Sequence, residues 1–238
     1  MKLTDAFGSF DSLSVVGAGG KKTTLYALAG ECTDAVVTST VRIPPFSSHV
    51  ADVVVSDDPV AAVRDTDERP LGVVAGTDGD RHIGYDPDAV DELIGATDAT
   101  VLIKADGART RRLKAPGDHE PQLPRTTDLV VPIASAKVVG KPLSEEIVHR
   151  PERVAAITDL GIGDEITADD VAAVLTSRSG GLKQLPESAR AVPLVNMVDT
   201  KRDERAGREI AERILAREPV DRVVLARMDR RRIVDVIS

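Results

Sequence analysis

The sequence predicts an α/β protein on a doubly wound, mostly parallel sheet of the P-loop NTPase type, carrying a small helical insertion. Three observations predict it. Short apolar runs rich in β-branched residues recur seven times along the chain, stretches with apolar residues at helical spacing separate several of them, and the first run ends in a glycine-rich turn. Strands that are apolar throughout, rather than alternating, belong to sheets covered on both faces. Strand and helix repeating in turn implies crossover connections and hence parallel strands. A length of 238 residues accommodates one domain, residues 1–238, with the insertion at residues 145–181.

The run LSVVG at residues 13–17 reads as the first strand, and TTLYALAGE after it has the apolar spacing of a helix. Further strands are read in DAVVTST from Asp34, LGVVAG from Leu71 and ATVLIKADG from Ala99. Residues 110–125 contain Pro, Arg and His without any period, which predicts a long loop of the kind that is usually functional or disordered. The strand DLVVPIA follows from Asp128. In ITADDVAAVLTSRSGG, Thr167 is the expected N-cap, Asp170 follows three residues later and Gly180 lies beyond the helix end. AVPLVNMVD from Ala191 is the next strand. KRDERAGREIAERILARE is a charged helix with Ile210, Ile214 and Leu215 on one stripe, and DRVVLAR from Asp221 is the last strand.

Composition excludes several classes of function. A net charge of −8 and five aromatic residues without Trp argue against a nucleic-acid surface, which needs basic patches and stacking platforms. No apolar run approaches the ~18–20 residues that span a bilayer, and MKLTDAFGSF has no signal-peptide core, so the expectation is a soluble, cytoplasmic protein without a membrane partner. The single cysteine, Cys32, allows no internal disulfide, no CxxC pair and no cysteine-rich zinc site.

The chemistry concentrates in VVGAGGKKTTL. A strand, a glycine turn and a helix opening on Lys and Thr form the setting in which backbone N–H groups and a helix N-terminus hold phosphate. The spacing differs from G-x-x-x-x-G-K-[ST]: with Gly20 and Lys21 at its end, Val15 stands where the first Gly belongs and Lys22 where the hydroxyl belongs. The loop is therefore read as shortened. Gly17, Ala18, Gly19 and Gly20 make the turn, Lys21 supplies the phosphate charge with Lys22 beside it, and Thr23 or Thr24 supplies the hydroxyl for Mg²⁺. A turn that only packs the helix close to the sheet is the bland alternative. Two adjacent lysines at the positive end of a helix dipole argue against it, because they call for an anion. A dinucleotide reading fails on the missing third Gly and on the absence of an acidic residue cleanly ending the second strand.

Partners of the loop are expected at later strand ends. Asp106 takes the place of a magnesium-organising carboxylate, so Lys21 and Asp106 are the catalytic candidates, and Thr23 and Asp106 the metal candidates. Asn196 and Asp199 resemble a base-reading Asn-Lys-x-Asp motif with Met197 in the Lys position, which leaves ATP and GTP both open as the purine nucleotide. Arg109, Arg111, Arg112 and Lys114 share a loop with Asp106 and could meet phosphates or a second anionic ligand. His119, Glu120, His149 and Arg150 lie in proline-bounded stretches that suit a second-ligand or partner site. Two histidines in separate loops more often hydrogen-bond to carboxylates than ligate metal.

The strings VVGAGGKKTTL, ADGARTRRLKAPGDHEPQLP and GKPLSEEIVHRPE resemble, over nearly the whole chain, the selenium-dependent hydroxylase accessory protein family, the YqeC-like family. The matching positions are Gly17, Gly19, Gly20 and Lys21; Asp106 and Gly107; Leu113 to Pro116; His119 to Pro121; Gly140 to Leu143; Glu146; and His149 to Pro151. Departures are Lys22, Val41, Arg42, Lys104 in place of a Glu, and Met197. The resemblance implies a P-loop-like protein serving the maturation of selenium-dependent molybdenum hydroxylases, with such a hydroxylase or its cofactor-assembly proteins as partner. Cys32 matches no motif of that family, so gating or energising delivery is the expected role rather than carrying selenium. A slow NTPase fits this reading. The alternatives are a kinase or nucleotidyltransferase acting on a cofactor precursor, and a non-catalytic nucleotide-sensing module.

Overall fold

The computed structural model describes residues 2–218 and 220–238. In chain order the elements are α1 (Leu3–Phe7), β1 (Ser12–Gly17), α2 (Lys21–Ala29), β2 (Ala35–Ser39), β3 (Asp52–Val55), α3 (Pro59–Arg64), β4 (Leu71–Val74), β5 (Gly76–Asp78), β6 (Arg81–Ile83), α4 (Pro87–Ala96) and β7 (Thr100–Lys104). They continue with β8 (Leu113–Lys114), β9 (Leu129–Ser135), β10 (Val148–His149), α5 (Pro151–Thr158), α6 (Ala168–Thr176), β11 (Arg190–Ala191), β12 (Leu194–Asn196), α7 (Lys201–Arg217), β13 (Val223–Arg227) and β14 (Arg232–Ile237).

The main sheet runs β14-β13-β12-β9-β1-β7-β2-β4-β3, with β11 also paired to β9. All its pairings are parallel except β13 with β14. Alternation within the central strands shows both faces at work. Leu102 joins the core under α1 and α2 with Leu13, Leu25, Leu28 and Val37, whereas Val101 and Ile103 join the opposite core under α3 and α4 with Val36, Val73 and Leu93. A third cluster on the far half of the sheet gathers Ile210, Ile214 and Val171 over Val195, Val223 and Leu225. This is the doubly wound α/β architecture expected from the continuous apolar runs.

The predicted insertion becomes β10, α5 and α6, and α6 packs along α7 as part of the layer covering β12 and β13. Its N-cap is as expected: Thr167 accepts from the Asp170 N–H at 3.3 Å while Asp170 accepts from the Thr167 N–H at 2.8 Å. The loop at residues 110–125 is irregular apart from β8, which pairs in parallel with β10 and sets Lys114 beside His149.

Chain direction places the glycine turn. From β1 the chain crosses to β2 on one side, and from β9 it goes on to β12 on the other. The carboxyl end of β1 therefore opens at the switch point, where ligands of open α/β sheets collect.

Candidate functional site

Gly17, Gly19 and Gly20 have φ of 85°, 96° and 124°, a region that L side chains rarely adopt. Space forbids side chains as well. A Cβ on Gly17 would lie 2.5 Å from the Ile133 carbonyl oxygen, one on Gly19 would lie 2.7 Å from the Ser135 nitrogen, and one on Gly20 would collide with the Asn196 amide. Packing against β9 and against Asn196 at the end of β12 thus accounts for the glycines without any ligand. The loop amides are also engaged: Gly17 N–H donates to Asp106 Oδ2 at 3.0 Å, Ala18 N–H to Ile133 O at 2.9 Å, and Gly19 N–H to Arg111 O at 3.0 Å.

The start of α2 differs. Its N-cap, Gly20, supplies no side-chain cap, and the first backbone bond within the helix is Thr24 N–H to Gly20 O at 2.9 Å. First-turn N–H groups of a helix have no partner inside it, and together with the dipole they favour an anion.

Beneath this end runs a chain of alternating charges. Lys21 Nζ lies 2.8 Å from Asp106 Oδ1 and also donates to the Gly17 carbonyl. Lys114 Nζ lies 2.8 Å from Asp106 Oδ2 and 2.9 Å from Glu120 Oε2, which in turn accepts from Arg150 Nη1 at 2.5 Å. Lys21, Asp106 and Lys114 are buried. Burial lowers the Lys21 pKa, opposed in part by Asp106. For Glu120, burial raises the carboxyl, but the Lys114 ammonium and the N–H groups of Gly117 and Gly107 more than reverse this and hold it at about 2. His149 falls to about 4 through burial and then through the charges of Arg150 and Lys114.

Lys104 is also buried, with Nζ donating to the Arg42 carbonyl at 3.1 Å, and burial followed by the Lys21 charge brings it to about 7. Three cationic side chains, Lys21, Lys114 and Arg150, therefore pair with two carboxylates, Asp106 and Glu120, and the Lys104 amine lies within electrostatic reach of Asp106 without pairing with it. Such a surplus suits an anion.

The other predicted residues fall in different places. Thr24 Oγ1 donates to Gly20 O at 3.0 Å, while Thr23 is exposed and Lys22 half-buried. Asn196 is buried and acts as a brace: Nδ2 donates to Gly19 O at 2.8 Å, and Oδ1 accepts from Met228 N–H at 3.1 Å. Asp199 pairs with Lys137 and lies 3.0 Å from Arg227 Nε. Of the second-ligand set, Lys114, Glu120, His149 and Arg150 are brought together. His119 is exposed and lines a separate groove with Asp118, Gln122 and Gln184. Arg109 is exposed but within electrostatic reach of His149.

For a metal at Asp106 the donor set is poor. Both oxygens face ammonium groups and one also takes an amide N–H, and among the described residues no three His, Cys, Asp or Glu side chains could hold a metal ion. In the sequence, Lys104 stands only as a departure from the family pattern. Its signal, a lysine closing an otherwise apolar strand directly before Ala105 and Asp106, was present.

A family model described as YqeC protein matches residues 13–152. A protein of Escherichia coli (strain K12), the uncharacterized protein YqeC, is 32% identical over 193 residues, covering 77% of this chain and 75% of that one. The chain belongs to the YqeC family. The YqeC match spans the glycine loop and every member of the charge chain, from Lys21 to Arg150, and stops short of Asn196 and Asp199. No described helix is long and apolar enough to cross a membrane.

Proposed function

We propose that this YqeC-family protein binds a purine nucleoside triphosphate, ATP or GTP, with its phosphates at the start of α2, and hydrolyses it slowly in the service of molybdenum-hydroxylase maturation. The observation that carries the reading is the uncapped N-terminus of α2 at the sheet's switch point, directly over Lys21 in a charge chain with a cationic surplus. A phosphate there would meet the first-turn N–H groups and draw Lys21 from Asp106, exchanging one anionic partner for another. Mg²⁺ would arrive on the nucleotide's own phosphates as part of the substrate. Asp106 as placed does not fit a resident metal, and no step is assigned through one.

The link to selenium-dependent hydroxylases rests on the resemblance of the three motif strings. Calorimetric titration with ATP and GTP, with and without Mg²⁺, tests the nucleotide reading, and absence of binding to either would end it. Product analysis then separates the activities. NDP release, stimulated by a hydroxylase client, marks the switch; a newly phosphorylated or nucleotidylated compound marks a transferase.

A further inference from the structure

Lys104 ends β7 between β1 and β2, in register with Val15 on one side and Ser39 on the other. It belongs to the same strand face as Leu102, which packs under α2. Its ammonium has one hydrogen-bond partner, the Arg42 carbonyl, and no carboxylate within ion-pair distance among the described residues. The charges felt from the surrounding elements are Lys21 and Lys22 on α2, Lys114 on β8, and Asp106 just after β7, whose oxygens already face Lys21 and Lys114. A buried amine crowded by three cations and the positive end of a helix is short of an anion.

We propose that Lys104 is a further cation of the phosphate site and takes up a proton from solvent as the anion docks. The inference rests on the phosphate reading above and deepens it: the site is built for a polyanion, whose charge both pairs with Lys21 and completes the protonation of Lys104. Register sets Lys104 opposite Val15, two residues before the glycine turn, on a strand that packs under α2, and its value near 7 means that the unliganded protein holds it partly deprotonated at neutral pH. An arriving polyphosphate restores the charged form. Affinity should consequently rise about five- to tenfold as pH falls from about 8 to about 6, through Lys104 alone.

The experiment is calorimetric titration of the full chain with MgATP and with inorganic tripolyphosphate, at about pH 7.5, in buffers of different ionisation enthalpy. Wild type should take up a substantial fraction of a proton. Lys21 and His149 also have lowered values, so two variants assign the proton. Lys104→Met, which replaces a buried cation by an apolar chain of similar length, should bind several-fold more weakly and lose most of the uptake. Lys104→Arg, charged throughout, should bind like wild type without the uptake. Proton-neutral binding by wild type, or uptake unchanged in Lys104→Met, would overturn the role of Lys104 and leave the phosphate site standing. Failure of both probes to bind would remove both.

Discussion

Lys21 and Lys22 are neighbours in sequence but not in environment. Lys21 is buried against Asp106, whereas Lys22 is half-buried without an ion pair among the described residues. Replacing Lys21 by Ala should weaken nucleotide binding by about 2–4 kcal/mol, in the range for truncating one member of a buried charge pair, and Lys22→Ala should cost clearly less. The reverse order in a titration would mean that the loop register is misread. Asp106 sits between two ammonium groups, so Asp106→Asn leaves them facing each other and should cost roughly 3–5 kcal/mol of stability in urea denaturation. Adding Lys114→Met should restore part of that loss; strict additivity would mean that the pair is not coupled. Acid acts on the same group of residues. Glu120 is held below its unfolded value of 4.5, so its contribution is present above about 4.5 and is lost as pH falls toward 2. His149 is likewise lowered from 6.5 to about 4, which means that the unfolded chain binds the extra proton and stability falls as pH drops through that window. His149→Gln should flatten the thermal-stability profile between pH 6.5 and 4, and an unchanged slope would remove His149 as the cause. Residue identity disclosed Lys21, Asp106, Lys114, Glu120 and Arg150, because charged groups among glycines and prolines at strand ends have few other uses. It did not disclose Asn196 as a brace, since spacing says nothing of which way a side chain turns.

Among the elements, legibility followed burial. The strands of four or more residues that are buried along all or nearly all of their length, β1, β2, β4, β7, β9 and β13, announced themselves as apolar runs. The unread ones had weaker reasons to be apolar. β3 is an edge strand with an exposed or half-exposed pattern, β8 and β10 are two residues long, and β14 is the antiparallel edge, half-exposed along most of its length. The glycine loop shows the opposite case, in which a strong motif has a structural cause of its own. Gly17→Ala would need φ near +85° and would drive a Cβ into Ile133 O, so it should destabilise the fold whether or not nucleotide is present. Loss of binding in that variant is uninformative unless its melting temperature is unchanged, an outcome that would contradict the packing described here. The α7 cap makes a milder case: Thr200 accepts from Asp203 N–H at 3.2 Å, and Thr200→Ala should cost about 1 kcal/mol in chemical denaturation.

At the scale of the molecule, one carboxylate joins both ends of the loop after β7 to the start of α5, 30 residues farther on. Glu120 ties Lys114 of β8 to Arg150 at the start of α5, and its other oxygen accepts from Gly107 N–H at 3.2 Å, next to Asp106. The same loop reaches the glycine turn through Arg111 O, and β9 through Arg112 O, which accepts from Ser135 N–H at 3.0 Å. Residues 107–121 therefore form a wall between the phosphate site and the α5–α6 layer, fixed by charge and backbone bonds together with the buried Leu113 and Ala115. Removing the charge at its centre, in Glu120→Gln, should release the wall without releasing the sheet, because β1, β7 and β9 hold each other through parallel ladders that do not involve Glu120. Hydrogen exchange should then speed up at Gly107, Gly117 and Arg112, and limited proteolysis after Arg109 or Arg111 should accelerate, while amides of β1 and β7 keep wild-type protection. Acceleration spread evenly across β1 and β7 would show that the wall and the sheet unfold as one unit. No change at all would mean that Glu120 only decorates a loop held by other bonds.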